Sequence, residues 1–260
     1  EYHSPVPRGP CSRSVAPSAL YTWLSIPFVY ANFQTQQALT GQSEIHPRRE
    51  GCVSATDNAL GEALGQRYVE QAFGADGKQR MLKMVDALEK SLDQDIKTLP
   101  WMTEETKKQA KVKLDAIRNK IGYPDAWRDY TSLKIVRGDL LGNFLRANQF
   151  EAKRQIAKIG KPLDRNEWQM TPPTVNAYYS PARNEIVFPA GILEPPFFDK
   201  QADDAINFGG IGIVIGHELT HGFDDQGRKF DPQGNLRDWW TAQDGTEFEK
   251  RASCIADEYS

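Results

Sequence analysis

Cysteine is scarce and unpaired in this 260-residue sequence: Cys11, Cys52 and Cys254 are an odd number, far apart, and no C-x-x-C pair occurs. That excludes a cysteine-built zinc finger and a dithiol redox site, and Cys11 and Cys52 read as isolated thiols. A basic surplus is missing too. With 32 Lys and Arg against 35 Asp and Glu, the net charge is −3, which argues against nucleic acid and against an anionic lipid surface as partners. No apolar run approaches the ~20 residues of a membrane span; Ile211–Ile215 and the neighbourhood of Phe28 are far shorter. The N-terminus lacks the charged-then-apolar pattern of a secretory signal, and Glu1 stands where an initiator methionine would. What remains is an ordinary folded composition, 39% hydrophobic, 26% charged and 10% aromatic, enough for one large domain or two small ones.

Residues 1–22 have no period and are dominated by Pro, Ser, Gly and Arg; they read as a disordered tail or a frame-shifted start. From Asp57 the pattern becomes helical, with Leu60, Leu64, Tyr68 and Phe73, then Met81, Val85, Leu88, Leu92, Ile96 and Leu99 along a long amphipathic stripe. Pro100 ends it. Thr103 is a good N-cap for a following helix, with Glu104 and Glu105 in its first turn. That helix carries Ala110, Leu114 and Ile117 and is expected to end near Gly122-Tyr123-Pro124. A third helix from about Asp139 holds Leu141, Phe144, Leu145 and Ile156, with Gly160 as its stop. All these stripes read as core-forming. After Pro172-Pro173, Val175–Tyr179 and Glu185–Phe188 have strand composition. Gly209, Gly210, Gly212 and Gly216 read as positions of close helix packing, since the run lacks the lysine and spacing of a phosphate-binding loop.

Of four histidines, two fall in Ile215-Gly216-His217-Glu218-Leu219-Thr220-His221. This is H-E-x-x-H inside a helical run. Residues four apart share a helix face, so the imidazoles of His217 and His221 can converge on one metal ion. Glu218 can then direct its carboxylate at water on that metal, the arrangement of a zinc hydrolase. Asp224 and Asp225 follow one turn later, where one can accept a hydrogen bond from a ligand imidazole and fix its tautomer. His3 and His46 match no such pattern and read as exposed.

The flanks of this motif carry a resemblance. Val175-Asn176-Ala177-Tyr178-Tyr179, Arg183 through Leu193, Pro195-Pro196-Phe197-Phe198, Asn207 through Gly212, Asp224-Asp225-Gln226-Gly227 and Trp239-Trp240 resemble the neprilysin family of zinc metallopeptidases (family M13, with endothelin-converting and bacterial PepO-like members). Asp57 through Gly65 and Lys120-Ile121-Gly122-Tyr123-Pro124 extend it, so that it covers roughly Trp23 to the C-terminus. The resemblance implies a mainly α (α+β) fold, with a thermolysin-like gluzincin core and a helical N-terminal region, both incomplete here. It divides the chain into a poorly patterned segment 1–22, part of the family's helical region at 23–123, a helix and linker at 124–174, and the start of the catalytic domain at 175–260.

The resemblance also implies one Zn2+ per site, held by His217 and His221, with Glu218 as general base. It gives Asn176 and Ala177 the role of clamping an extended peptide by strand addition, and it lines the pocket for the side chain after the scissile bond with Ile192, Phe197 and Val214. The substrates would be oligopeptides with a large apolar residue there, cut outside the cytoplasm by a periplasmic, extracellular or membrane-anchored enzyme. Two departures stand out. Zinc needs a third protein ligand, which the family takes from an E-N-x-x-D segment absent between His221 and Ser260. Cys254, which the resemblance would pair with a later cysteine, has no such partner here. The chain therefore reads as a fragment with little activity of its own. Two alternatives stay open: a non-catalytic helical scaffold or pseudoenzyme fragment, and a different gluzincin using Glu247 or Glu258 as third ligand.

Overall fold

The computed structural model describes residues 26–45 and 47–259. The segment 1–22, Trp23, Cys11, His3 and His46 lie outside the described residues. The protein is mainly helical. Helices α1 (Ile26–Thr40) and α2 (Arg48–Tyr68) come first, and Leu60 leaves helical dihedrals at φ −135°, ψ 30°. A π turn, Val69–Phe73, leads into α3 (Gly74–Thr98), then α4 (Glu104–Asp115), strand β1 (Arg118–Gly122) and α5 (Leu140–Ile156). Strands β2 (Tyr178–Ser180) and β3 (Glu185–Pro189) precede α6 (Asp204–Gly209), α7 (Ile211–Thr220) and α8 (Ala242–Glu258). Contacts group the residues into two units, one holding those up to Ala59 with Thr131–Ala157, the other Leu60–Tyr130 with everything from Lys158 onward. No helix among the described residues is long and apolar enough to cross a membrane.

The second unit holds the candidate site residues, from Asn176 to Asp225. Its sheet has the order β1-β3-β2, with β1 parallel and β2 antiparallel to β3. All five residues of β3 are buried, as a central strand covered on both faces requires. The α3 stripe supplies Met81, Met84 and Val85 to a core shared with Ile121, Ile186, Phe188, Ile211, Ile215 and Leu219. Thr103 caps α4 as the sequence suggests, accepting from the Thr106 N–H, and Asp139 caps α5, accepting from the Gly142 N–H.

Four expectations need correction. Helix α4 stops at Asp115, and Arg118–Gly122 is a strand whose partner, Glu185–Pro189, lies far along the chain. A local pattern cannot show that pairing, and tertiary context overrides helical spacing there. The strand expected at Val175–Tyr179 is confined to Tyr178–Ser180. The apolar stripe of α5 is no core among the described residues: Leu141, Leu145 and Ile156 are exposed and Ala147 is its buried residue. Of the four glycines before and within α7, Gly210 is tightly placed, because a Cβ would stand 2.5 Å from the Phe197 carbonyl oxygen, whereas Gly209 and Gly216 face open space.

A buried carboxylate ties α4 to α8. Asp244 is fully buried and accepts from the Thr103 N–H at 2.7 Å and from the hydroxyls of Thr103, Thr106 and Thr241 at 2.6, 2.6 and 2.5 Å. Burial alone would raise its pKa, but the threonine hydrogen bonds outweigh that and hold it below the usual carboxylate range. A depressed folded-state pKa gives stability that is present above the unfolded value and lost as pH falls through the folded one. Asp244→Ala is expected to cost about 2–3 kcal/mol, since it strands several buried donors. Asp244→Asn is expected to flatten the loss of stability below about pH 4. Urea midpoints measured across pH 3–7 check both.

Candidate metal centre

Helix α7 is poor in helix-forming residues. Gly212 and Gly216 cost it roughly 1 kcal/mol each. Against that, Ile211, Ile215 and Leu219 are almost wholly buried on one face, contributing about 1.5–3 kcal/mol apiece. Packing wins, so the helix exists because of its core face, and the opposite face is fixed by rotation alone. That face carries His217 and His221.

The two imidazoles meet. His217 Nε2 and His221 Nε2 are 3.0 Å apart, with ring planes at 82°. Asp224 Oδ2 lies 3.0 Å from His221 Nδ1, so Nδ1–H donates to the carboxylate and the Nε2 lone pair of His221 is left for a metal. Two nitrogens each about 2.0–2.1 Å from a tetrahedral zinc lie about 3.3 Å from one another, so the observed pair fits two corners of such a site. Among the described residues no group of three His, Cys, Asp or Glu side chains forms a metal site. Neither Glu247 nor Glu258 therefore joins the pair, and Glu247 is instead engaged by Arg251 at 2.9 Å.

Glu218 sits beside the histidines but points inward and is buried. Burial pushes its carboxyl above the ordinary glutamate range, against the pull of His217, His221 and a hydrogen bond from the Tyr179 backbone N–H. A carboxylate held this way is a stronger base than one in water. Tyr179 belongs to β2, which lies at the edge of the sheet alongside α7.

The loop after α7 is built around Asp224. Its Oδ1 accepts from the N–H groups of Gln226 at 2.9 Å and Gly227 at 2.7 Å. Asp225 turns away and accepts from the Gln226 side chain; of the two aspartates, Asp224 is the one brought to the site. Gly227 admits no side chain, since a Cβ would stand 2.0 Å from the His221 carbonyl oxygen. Phe223 and Trp239 pack edge to face at 6.2 Å and close the loop.

The remaining sequence candidates are scattered more widely. Asn176 is exposed and its Oδ1 accepts from the Ala177 N–H at 2.8 Å; Ala177 is buried just before β2. Ile192 is buried within the main core, Val214 packs at its margin, and Phe197 is 38% exposed.

Several supporting residues carried no role in the sequence reading. Tyr179 holds Glu218 through its N–H and donates its hydroxyl to Asn184 Oδ1 at 2.8 Å. Asn184, at φ 48°, occupies the left-handed region that Asn tolerates. Its Nδ2 donates to the Lys113 carbonyl at 3.0 Å. Lys113 is wholly buried, and a signal for it existed: it shares the α4 face of Thr106, Ala110 and Leu114, so a charge stands on a core stripe.

Asp224→Ala is expected to weaken Zn2+ binding about 10- to 100-fold, as losing a carboxylate partner of a ligand histidine does. Asp225→Ala is expected to leave it nearly unchanged. Competition with a chromophoric chelator measures both, and equal effects would contradict the assignment.

Comparison with known proteins bears on the same residues. Family profiles described as peptidase family M13 match residues 14–124 and 176–260. Human endothelin-converting enzyme 1 is 45% identical over 221 residues, covering 82% of this chain and 29% of that protein. The Mycobacterium tuberculosis zinc metalloprotease Zmp1 in complex with an inhibitor matches with a TM-score of 0.86 and 48% identity, over 93% of this chain and 36% of that one. PepO from Lactobacillus rhamnosis matches with a TM-score of 0.87 and 32% identity, over 94% and 39%. The chain thus spans 29% of the human relative's length and 36–39% of the two solved chains.

Proposed function

Because the chain belongs to peptidase family M13, we propose that the protein carrying these residues is a zinc-dependent metalloendopeptidase that hydrolyses peptide bonds of oligopeptides. The observation that carries this reading is the 3.0 Å approach of the His217 and His221 Nε2 atoms beside a buried Glu218. His217 and His221 would hold one Zn2+, and a third protein ligand would come from residues beyond these 260. Zinc, when bound, supplies Lewis-acid polarisation of water and carbonyl. Glu218 accepts the proton of the attacking water and passes it to the leaving amine as the C–N bond breaks. Its raised pKa suits both halves of that task, since a weaker acid is a better acceptor and still returns the proton to an amine.

The outer edge of β2 would receive an extended peptide by strand addition, with the exposed Asn176 amide beside it and Ala177 completing the clamp. Ile192, Phe197 and Val214 are assigned to the side chain after the scissile bond, which favours large apolar residues there. Family membership also supports action outside the cytoplasm, periplasmic, extracellular or membrane-anchored.

A second reading, a non-catalytic helical scaffold, draws on the missing third metal-binding side chain among the described residues. It expects His217→Ala to leave the zinc dependence of Tm unchanged.

In the protein as its gene encodes it, Glu218→Gln is expected to lower kcat about 10²–10⁴-fold on a fluorogenic peptide with Phe or Leu after the scissile bond. Its zinc affinity should be kept. The isolated 260-residue chain is expected to bind Zn2+ weakly and turn over negligibly. Full turnover by Glu218→Gln, or by metal-stripped protein, would refute the reading.

A further inference from the structure

Lys113 lies outside the metal centre, yet its contacts lead into it. It is wholly buried on the core face of α4. Its Nζ donates to the Gly227 carbonyl at 2.6 Å and the Phe230 carbonyl at 2.7 Å. The ammonium also lies 5.4 Å from the Trp239 ring centroid and 5.8 Å from that of Tyr179, within reach of cation–π attraction. Gly227 is thus held from two sides. Its carbonyl takes Lys113, and its N–H donates to Asp224 Oδ1 at 2.7 Å. The two bonds flank a single Cα in a short 3-10 turn, Gly227–Lys229, pressed on the His221 carbonyl oxygen. The other oxygen of Asp224 receives His221 Nδ1–H.

We propose that Lys113 is a positioning residue for the metal centre: by holding the Gly227 and Phe230 carbonyls it sets the Asp224 carboxylate that orients His221. The inference deepens the zinc-peptidase reading and rests on it for its metal readout. Charge and geometry agree. Burial pulls the lysine down to about 8, against the carboxylates of Asp224 and Asp231, so it is protonated at neutral pH and attracts the carboxylate it positions. A lysine that merely fills space would behave differently. Exchanging a space-filling lysine for an apolar side chain of similar volume would leave His221 unaffected, whatever it cost the fold by freeing the Gly227 and Phe230 carbonyls.

The test uses the 260-residue chain as wild type, Lys113→Met, Lys113→Gln and Asp244→Asn, the last a destabilised control that touches neither Gly227 nor Asp224. Two quantities are read at a temperature where near-ultraviolet circular dichroism shows each variant folded: the Kd for Zn2+ alone, and the side-chain ¹⁵N shifts that report the His221 tautomer in metal-free protein. Lys113→Met is expected to weaken Zn2+ about tenfold, as the loss of an outer partner does, and to change the Nδ1–H tautomer into a mixture. Lys113→Gln, one atom shorter but still a donor, is expected to fall between. Asp244→Asn should keep both readouts within about twofold of wild type despite a lower Tm. Wild-type Kd and tautomer in Lys113→Met, or equal losses in Asp244→Asn, would overturn the proposal. If Lys113→Met does not fold, Lys113→Gln is judged by the same outcomes. Should His217→Ala leave Zn2+ binding unchanged, the metal reading fails, and the metal-free tautomer alone decides the role of Lys113.

Discussion

An ammonium group sealed from water must take all its hydrogen bonds from the protein, and leaving it unpaired costs several kcal/mol. Lys113 imposes that constraint on everything around it. Its partners are backbone carbonyls of the loop that follows α7, and the faces of Tyr179 and Trp239 lie nearby. Helix α4, the edge strand β2 and the loop through Trp239 therefore come together around one charge. None of the three can withdraw without exposing or orphaning it. At neutral pH the group stays charged, because the pull of burial stops at about 8. The docking thus combines this charge with apolar packing, since Phe223 and Trp239 of the same loop pack against the apolar cluster that includes Ala110 and Leu114 of α4.

The site facing this support works by opposed pulls of a similar kind. Glu218 is a buried carboxylate that burial would neutralise, and the Tyr179 N–H with the two imidazoles restrains that tendency. The balance depends on where β2 stands relative to α7. That placement is set by β3, wholly buried between β1 and β2, and by Ile211, Ile215 and Leu219 on the inner face of α7. Core packing therefore sets the burial, and with it the basicity, of Glu218, since turning α7 by a fraction of a turn would expose that carboxyl while His217 and His221 moved together.

The legible parts of this protein were those whose partners lie within a turn or two of sequence. H-E-x-x-H could be read because four-residue spacing fixes a shared face whatever surrounds it. The cap at Thr103 was legible for the same reason, as was the start of a helix at about Asp139. Strand β1 was not, because Arg118–Gly122 has helical spacing and becomes a strand through register with Glu185–Pro189. The α5 stripe was misread in the opposite sense: Leu141, Leu145 and Ile156 have amphipathic spacing, yet they are exposed among the described residues. Periodicity reports which face is apolar, and it does not report whether anything covers that face.

The support of the site was hardest to read, and its chemistry explains why. Lys113 reaches carbonyls of Gly227 and Phe230, and Asn184 joins the Tyr179 hydroxyl to the Lys113 carbonyl. Backbone carbonyls leave no mark on side-chain identity, so the acceptor half of the lysine's contacts has no sequence signature. Gly227 leaves a partial one: its lack of a side chain reflects the nearness of the His221 carbonyl, a constraint visible only after folding. A local motif can supply two nitrogens and a carboxylate. The spacing also brings the two nitrogens to 3.0 Å; what orients the His221 ring and buries the Glu218 carboxyl is a set of contacts outside the motif, through ordinary residues that five letters of sequence do not name.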